Sequence, residues 1–126
     1  MPSTQTDRLQ GLTTSVAVKA PCIVASTTNL TLSSSQVVDG ITVLSSYRVL
    51  VWQQTNSTEN GLYVVRDSTW ERAKDFDGQR DCVRGTLVYV STGTTHGNRL
   101  FIVTSTGINA PGSSTITFTR GIVLTT

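Results

Sequence analysis

The sequence predicts an all-β domain, a small antiparallel barrel or sandwich. β-Branched residues dominate the apolar set, and stiff branched side chains fit a pleated surface better than a helix. Short apolar runs recur at near-regular intervals, with Gly, Pro, Ser and Asn between them. Only 14% of residues are charged against 37% hydrophobic, unlike an acidic disordered tail or a helical bundle. A chain of 126 residues holds one core of this kind and not two.

Residues 1–18 read as an extended N-terminal arm. Met1 to Thr6 is polar, and Leu9, Leu12 and Val16 follow at spacings of three and four. Gly11 and the Thr13-Thr14-Ser15 run oppose a stable helix, so the arm is expected to order on assembly. Pro21 marks the way into a single β domain over 19–126. Cys22-Ile23-Val24-Ala25 is an apolar run of strand type, and Leu30-Thr31-Leu32 alternates. Ser33-Ser34-Ser35 is a break. Asp39-Gly40, between Val38 and Ile41, is a tight-turn pair in which glycine takes positive φ. Tyr47 to Gln53 is the clearest strand. Asn60-Gly61 is the next turn, and Leu62 to Val65 the strand that leaves it. Trp70 begins a short segment, and Asp75 to Asp81 is a loop. Strands follow at Leu87–Val90, Leu100–Val103, Ile116–Phe118 and Ile122–Leu124, with loops at Thr92–Asn98 and Gly107–Ser114. There is no βαβ alternation and no internal repeat.

Little of this sequence is chemistry. The net charge is +2 and the Lys and Arg residues are scattered, which leaves a weak counter-ion term and predicts no nucleic-acid partner. Arg66, Arg72, Lys74, Arg80 and Arg84 are interleaved with Asp67, Glu71, Asp75, Asp77 and Asp81, a solvated face of mixed sign. No apolar stretch approaches the roughly 20 residues that span a bilayer, so no membrane partner is expected. The N-terminus lacks the basic start and apolar centre of a signal peptide, which predicts a protein made and kept in the cytoplasm. Cys22 and Cys82 have no metal-ligand or C-x-x-C spacing and read as small buried residues rather than a disulfide. His96, the one histidine, lies in a loop without a nucleophile or ligand near it in sequence and reads as a surface residue. Asp75, Asp77, Gly78 and Asp81 form a D-x-D-G-x-x-D loop. A hard cation would want more oxygens and the distal Glu of a calcium loop, so Asp side chains bonding nearby backbone N–H groups is the simpler reading. Glu59 and Glu71, the two glutamates, are the one pair available for sugar hydrolysis, and both stand at turn or strand-end positions. No glycine-rich phosphate loop is present. The expectation is a protein without catalytic residues, metal or cofactor.

The ordered elements carry a resemblance. Asp39-Gly40-Ile41-Thr42-Val43, Arg48-Val49-Leu50-Val51, Asn60-Gly61-Leu62-Tyr63-Val64-Val65, Trp70-Glu71-Arg72-Ala73 and Asp75-Phe76-Asp77 follow one another in this order. Arg8-Leu9-Gln10-Gly11-Leu12 and Val18-Lys19-Ala20-Pro21 precede them, and Gly85-Thr86-Leu87-Val88 and Ser114-Thr115-Ile116-Thr117-Phe118 come after. The series resembles a small all-β module of tailed-bacteriophage virion proteins, above all tail-fibre and other tail-associated proteins, and covers nearly the whole chain. The resemblance implies a virion structural protein, a tail or head–tail accessory component. Its implied partners are other virion proteins (tail, portal or adaptor, or capsid) and further copies of itself. A capsid decoration protein and a host-receptor or glycan-binding module are the alternatives. Tyr63 and Trp70 occupy positions that are aromatic in the family pattern and are expected in the core. Tyr47 and Trp52 depart from it, where an acidic and a basic or polar residue are usual. That aromatic pair is expected to meet a neighbouring subunit, and Leu9, Leu12 and Val16 to anchor the arm.

Overall fold

The computed structural model describes residues 18–78, 82–106 and 109–123; the expected arm, with Leu9, Leu12 and Val16, lies outside them. Nine strands are described: β1 (Val24–Ala25), β2 (Gln36–Val38), β3 (Ile41–Val43), β4 (Arg48–Val51), β5 (Gly61–Val64), β6 (Glu71–Arg72), β7 (Leu87–Val90), β8 (Arg99–Val103) and β9 (Phe118–Val123). Two 3-10 turns, Ser57–Glu59 and Lys74–Phe76, lie between strands. The strands form a central sheet β1-β4-β5-β6, a second sheet β7-β8-β9 and a separate hairpin β2-β3.

Alternation along the central sheet sends side chains to two different cores. Val24, Val49, Val51, Tyr63 and Val65 face one way and pack with Val38 and Val43 of the hairpin. Ala25, Leu50 and Leu62 face the other way and pack with Val88, Val90, Phe101, Val103 and Phe118 of the second sheet. The result is three layers, with the central sheet covered on both faces. This explains the unbroken apolar run Val49-Leu50-Val51, all three buried. The sheets do not close, so the architecture is sandwich-like and the barrel alternative is set aside.

The pairing is not wholly antiparallel. β1 runs parallel to β4, and Val18 and Cys22 form parallel bridges to Leu87 and Val90. The reason is that residues 18–25 serve both sheets. The Cys22 N–H donates to the Tyr89 carbonyl at 2.8 Å, and the next N–H, of Ile23, donates to the Arg48 carbonyl at 2.8 Å. Pro21, with no N–H to give, stands at the changeover.

Asp39-Gly40 forms the expected two-residue turn. Val38 pairs with Ile41 across it, and Asp39 and Gly40 have φ of 49° and 83°. Asn60-Gly61 behaves differently. The chain reverses through the Ser57–Glu59 turn, capped by the Asn56 side chain, and Gly61 already pairs with Val51. A Cβ at Gly61 would lie 2.7 Å from an Arg72 guanidinium nitrogen. Leu30-Thr31-Leu32 is not a strand. The Gln54 amide takes the place of a neighbouring strand, accepting from the Leu30 N–H at 2.7 Å and donating to its carbonyl at 3.0 Å. In place of the two strands expected at Ile116–Phe118 and Ile122–Leu124, one continuous β9 runs over Phe118–Val123 with a register shift against β8 between Arg99 and Phe101; Ile116 and Thr117 precede it, and Leu124 lies outside the described residues. Tyr63 and Trp70 are core residues, 5% and 4% exposed. Cys22 and Cys82 are both fully buried. Among the described residues no helix is long and apolar enough to cross a membrane.

Candidate functional site

The hairpin turn reaches across to the loop between β7 and β8. The Asp39 carboxylate accepts the N–H groups of Thr95 and His96, each at 2.9 Å, and the Asp39 carbonyl accepts the Thr94 N–H at 3.1 Å. Ionised carboxylates make strong bonds to backbone donors, so Asp39 fastens one layer to another. Gly93 and Gly40 make room for the contact. A Cβ at Gly93 would collide with the Asp39 carboxylate, and one at Gly40 would lie 2.6 Å from the Thr94 hydroxyl.

His96 is buried, not on the surface as its loop setting predicts. Trp52 and Phe101 stand edge-on to its ring, at centroid distances of 5.3 and 5.8 Å. Its Nδ1 is 3.3 Å from an Arg120 guanidinium nitrogen, which suits a neutral ring with Nδ1 accepting. Burial pushes its pKa below the ordinary histidine value; Asp39 opposes this, and Arg120 and Arg99 add to it. The side-chain acid nearest in role, Asp39, is bonded to backbone amides. Among the described residues, then, Asp39 does not orient this ring as the acid of a catalytic triad would.

A second group lies where the 18–25 segment meets the Lys74–Phe76 turn. Arg48 makes a two-pronged contact with Asp75, at 3.0 and 3.1 Å, and also donates to the Ala20 carbonyl at 3.0 Å. Asp75, the first carboxylate of the expected loop, is thereby committed to Arg48. Asp77 is exposed, and Asp81 lies outside the described residues. Among the described residues no three His, Cys, Asp or Glu side chains are grouped as a metal would need. Burial pushes the Cys22 thiol up to about 12, against the smaller opposing effect of Arg48. Lys19 is 4% exposed, and its side-chain nitrogen has no hydrogen-bond partner among the described residues.

The two glutamates also hold neighbours. Glu59 accepts from the Gln54 amide at 3.0 Å, and Glu71 from Arg66 at 3.3 Å on the surface. Arg72 donates to the carbonyls of Asn60 and Thr58, at 3.1 and 3.0 Å, and lies 5.0 Å above the Tyr63 ring.

Tyr47 and Trp52, expected on one contact surface, stand on opposite sides of the central sheet. Tyr47 packs half-buried on the hairpin side, and Trp52 on the side of the second sheet. The Trp52 indole N–H donates to the Ser26 carbonyl at 2.8 Å. They stand five positions apart in sequence, and alternation sends positions an odd number apart to opposite faces. Asp39 and Lys19 escaped sequence reasoning as distinctive residues. Asp-Gly reads locally as a turn, and its distant amides are invisible in the chain; Lys19 looks like any lysine. The chain matches no protein-family model, and no curated protein and no solved structure is significantly similar to it.

Proposed function

We propose that this chain is a non-enzymatic structural component of a tailed-bacteriophage virion, a tail or head–tail accessory protein that binds other virion proteins. The reading rests on the ordered resemblance and on one observation about the residues that carry it. Asp39 fastens a loop, Arg48 holds Asp75, Arg72 pins the Ser57–Glu59 turn, and the Trp70 indole N–H donates to the Ser34 carbonyl at 2.9 Å. What the chain shares with the virion module is therefore scaffold, and a scaffold of this kind acts through its surfaces. The carboxylates of Asp39, Glu59, Glu71 and Asp75 and the His96 ring are engaged in the same framework, which favours binding over turnover.

The test is to purify virions from cells that supply the protein tagged and to count it by quantitative mass spectrometry. A few to a few dozen copies per particle agree with an accessory role. Hundreds of copies point to capsid decoration, and none removes the virion reading. Supplying only a chain lacking residues 2–17 then tests the arm. Loss of incorporation with an unchanged circular dichroism spectrum makes the arm the anchor, and normal incorporation gives that role to the β body.

A further inference from the structure

We propose that the Thr94–Gly97 turn, between β7 and β8, is an acid-released latch: protonation of His96 expels its ring from the core and frees the tip of the β2-β3 hairpin from the outer sheet. The turn is built to move as one piece. Gly93 and Asn98 bracket it with φ of 127° and 60°, in the region that most side chains avoid. Gly97 passes Gly93 so closely that a Cβ there would lie 2.6 Å from the Gly93 carbonyl oxygen. Such residues at the two ends of a short segment absorb a change of φ and ψ without disturbing the strands beyond them.

Within the bracket, the turn is held from two sides. Asp39, at the hairpin tip, accepts the Thr95 and His96 N–H groups. The His96 ring packs edge-on against Trp52 and Phe101, which also stand edge-on to each other at 5.0 Å. This second hold works only for a neutral ring. The Arg120 guanidinium nitrogen 3.3 Å from Nδ1 is a donor and needs an acceptor there. Once Nδ1 carries a proton, two donors and two positive charges face each other, and the ring brings a charge in among aromatic side chains. With the ring gone from its place, the Asp39 contacts alone join hairpin and turn.

The groups around the ring set the direction of the response. Burial opposes the charged ring most. Asp39 favours it, but its carboxylate oxygens already accept the Thr95 and His96 N–H groups. Arg120 of β9 and Arg99 of β8 oppose it. Trp52, just after β4, and Phe101 of β8 bring no charge, and Tyr89 of β7 gives its hydroxyl to Asn98 at 2.7 Å. The closed turn thus disfavours the imidazolium, whereas the open turn returns the ring to water and the ordinary value of 6.5. The closed state is fully favoured above that pH. As pH falls below it, the open state gains by up to about tenfold per pH unit, until the ring in the closed turn is protonated as well.

The experiment is hydrogen exchange on the full chain from about pH 7.5 to about pH 5, with each rate divided by that of an unprotected amide at the same pH. Protection at Thr95 and His96 is expected to fall about fivefold or more over that range, while the amides of β4 and β5 keep theirs. His96 is the one histidine, so its ring gives a single NMR titration, expected below 6.5. His96→Gln should abolish the pH dependence; should it misfold, His96→Phe replaces it as an aromatic ring that does not titrate. Arg120→Gln keeps a donor for Nδ1 without the charge and is expected to reduce the fall. A purely structural role for Arg120 would instead loosen the turn equally at every pH. Wild-type protection that stays flat overturns the proposal. So does a pH dependence that persists without His96, because another group then titrates, and so does an equal fall at the β4 amides, because the whole domain then loosens. An unchanged fall in Arg120→Gln removes the like-charge release and also overturns it. None of these results depends on whether the chain belongs to a virion.

Discussion

β4 reads RVLV and β7 reads LVYV, yet Val49, Leu50 and Val51 are all buried while β7 alternates between buried and half-buried. The two strands have nearly the same composition and the same length. What separates them is the number of layers packed on them. β4 lies between the hairpin and the second sheet, and among the described residues β7 has a strand layer on one side only. The apolar content of a strand thus tells how many faces it is built to bury. It does not tell whether the covering layer belongs to the same chain.

The hardest test of the comparison is at the fully covered layer. Trp70 is 4% exposed among the valines between hairpin and central sheet. Trp70→Ala is expected to cost about 3–5 kcal/mol in chemical denaturation. Ile102→Ala, on the open face, should cost the isolated subunit less than about 1 kcal/mol. Equal losses would mean that the two layers are covered alike.

Removing the fastening between layers comes next. Asp39→Ala deletes a charged acceptor for two backbone amides and leaves a left-handed turn position to alanine. A loss of about 2–3 kcal/mol is expected, with faster hydrogen exchange at Thr95 and His96. Asp39→Asn keeps the turn and one acceptor and should lose about half as much. Unchanged exchange in the alanine variant would show that the loop holds without the hairpin.

Lys19 and Cys22 stand on the segment the two sheets share. A buried amine without an acceptor is destabilising, and Lys19 has none among the described residues, so Lys19→Met is expected to raise stability by about 1–3 kcal/mol. A fall would mean that the Lys19 nitrogen has a partner. The Cys22 thiol is neutral in the folded protein up to about pH 12, whereas the unfolded chain loses that proton from about 9.0. Stability is full below that pH and declines above it by about 1.4 kcal/mol per pH unit. Cys22→Ala should remove that slope, and the native thiol should resist alkylation until urea is added.

The smallest effect is on the acid side. The His96 pKa is depressed by burial, so the unfolded chain takes up a proton before the folded one does. Stability is therefore lost as pH falls through the ordinary histidine value of 6.5. The loss should show first as faster exchange in the 94–98 turn and vanish in His96→Gln. A flat profile would move His96 to the solvent side of the outer layer.

Much of the fold was legible in the chain. The Asp39-Gly40 turn, the strand around Arg48–Val51, the strand Leu87–Val90 and the burial of Tyr63 and Trp70 follow from local rules: turn chemistry, β-branching and aromatic bulk. Contacts between distant residues were not legible. The parallel pairing of residues 18–25 arises because one short segment hydrogen-bonds two sheets, and no periodicity announces that. His96 is buried because Trp52, Phe101 and Arg120 converge on it from three other parts of the chain. Leu30 to Leu32 lost its strand to a glutamine amide 24 residues away.

The sequence alone determined that this protein is all-β, where its tightest turn lies and which aromatics are large enough to be core. These depend on φ preferences, side-chain branching and volume, which each residue carries wherever it sits. Only the tertiary structure decided that the strands form three unclosed layers, that Tyr47 and Trp52 part to opposite faces, and that Asp39 holds a loop more than 50 residues further on. Layer order and long-range pairing depend on which surfaces meet, and that is a property of the assembled chain rather than of any stretch within it.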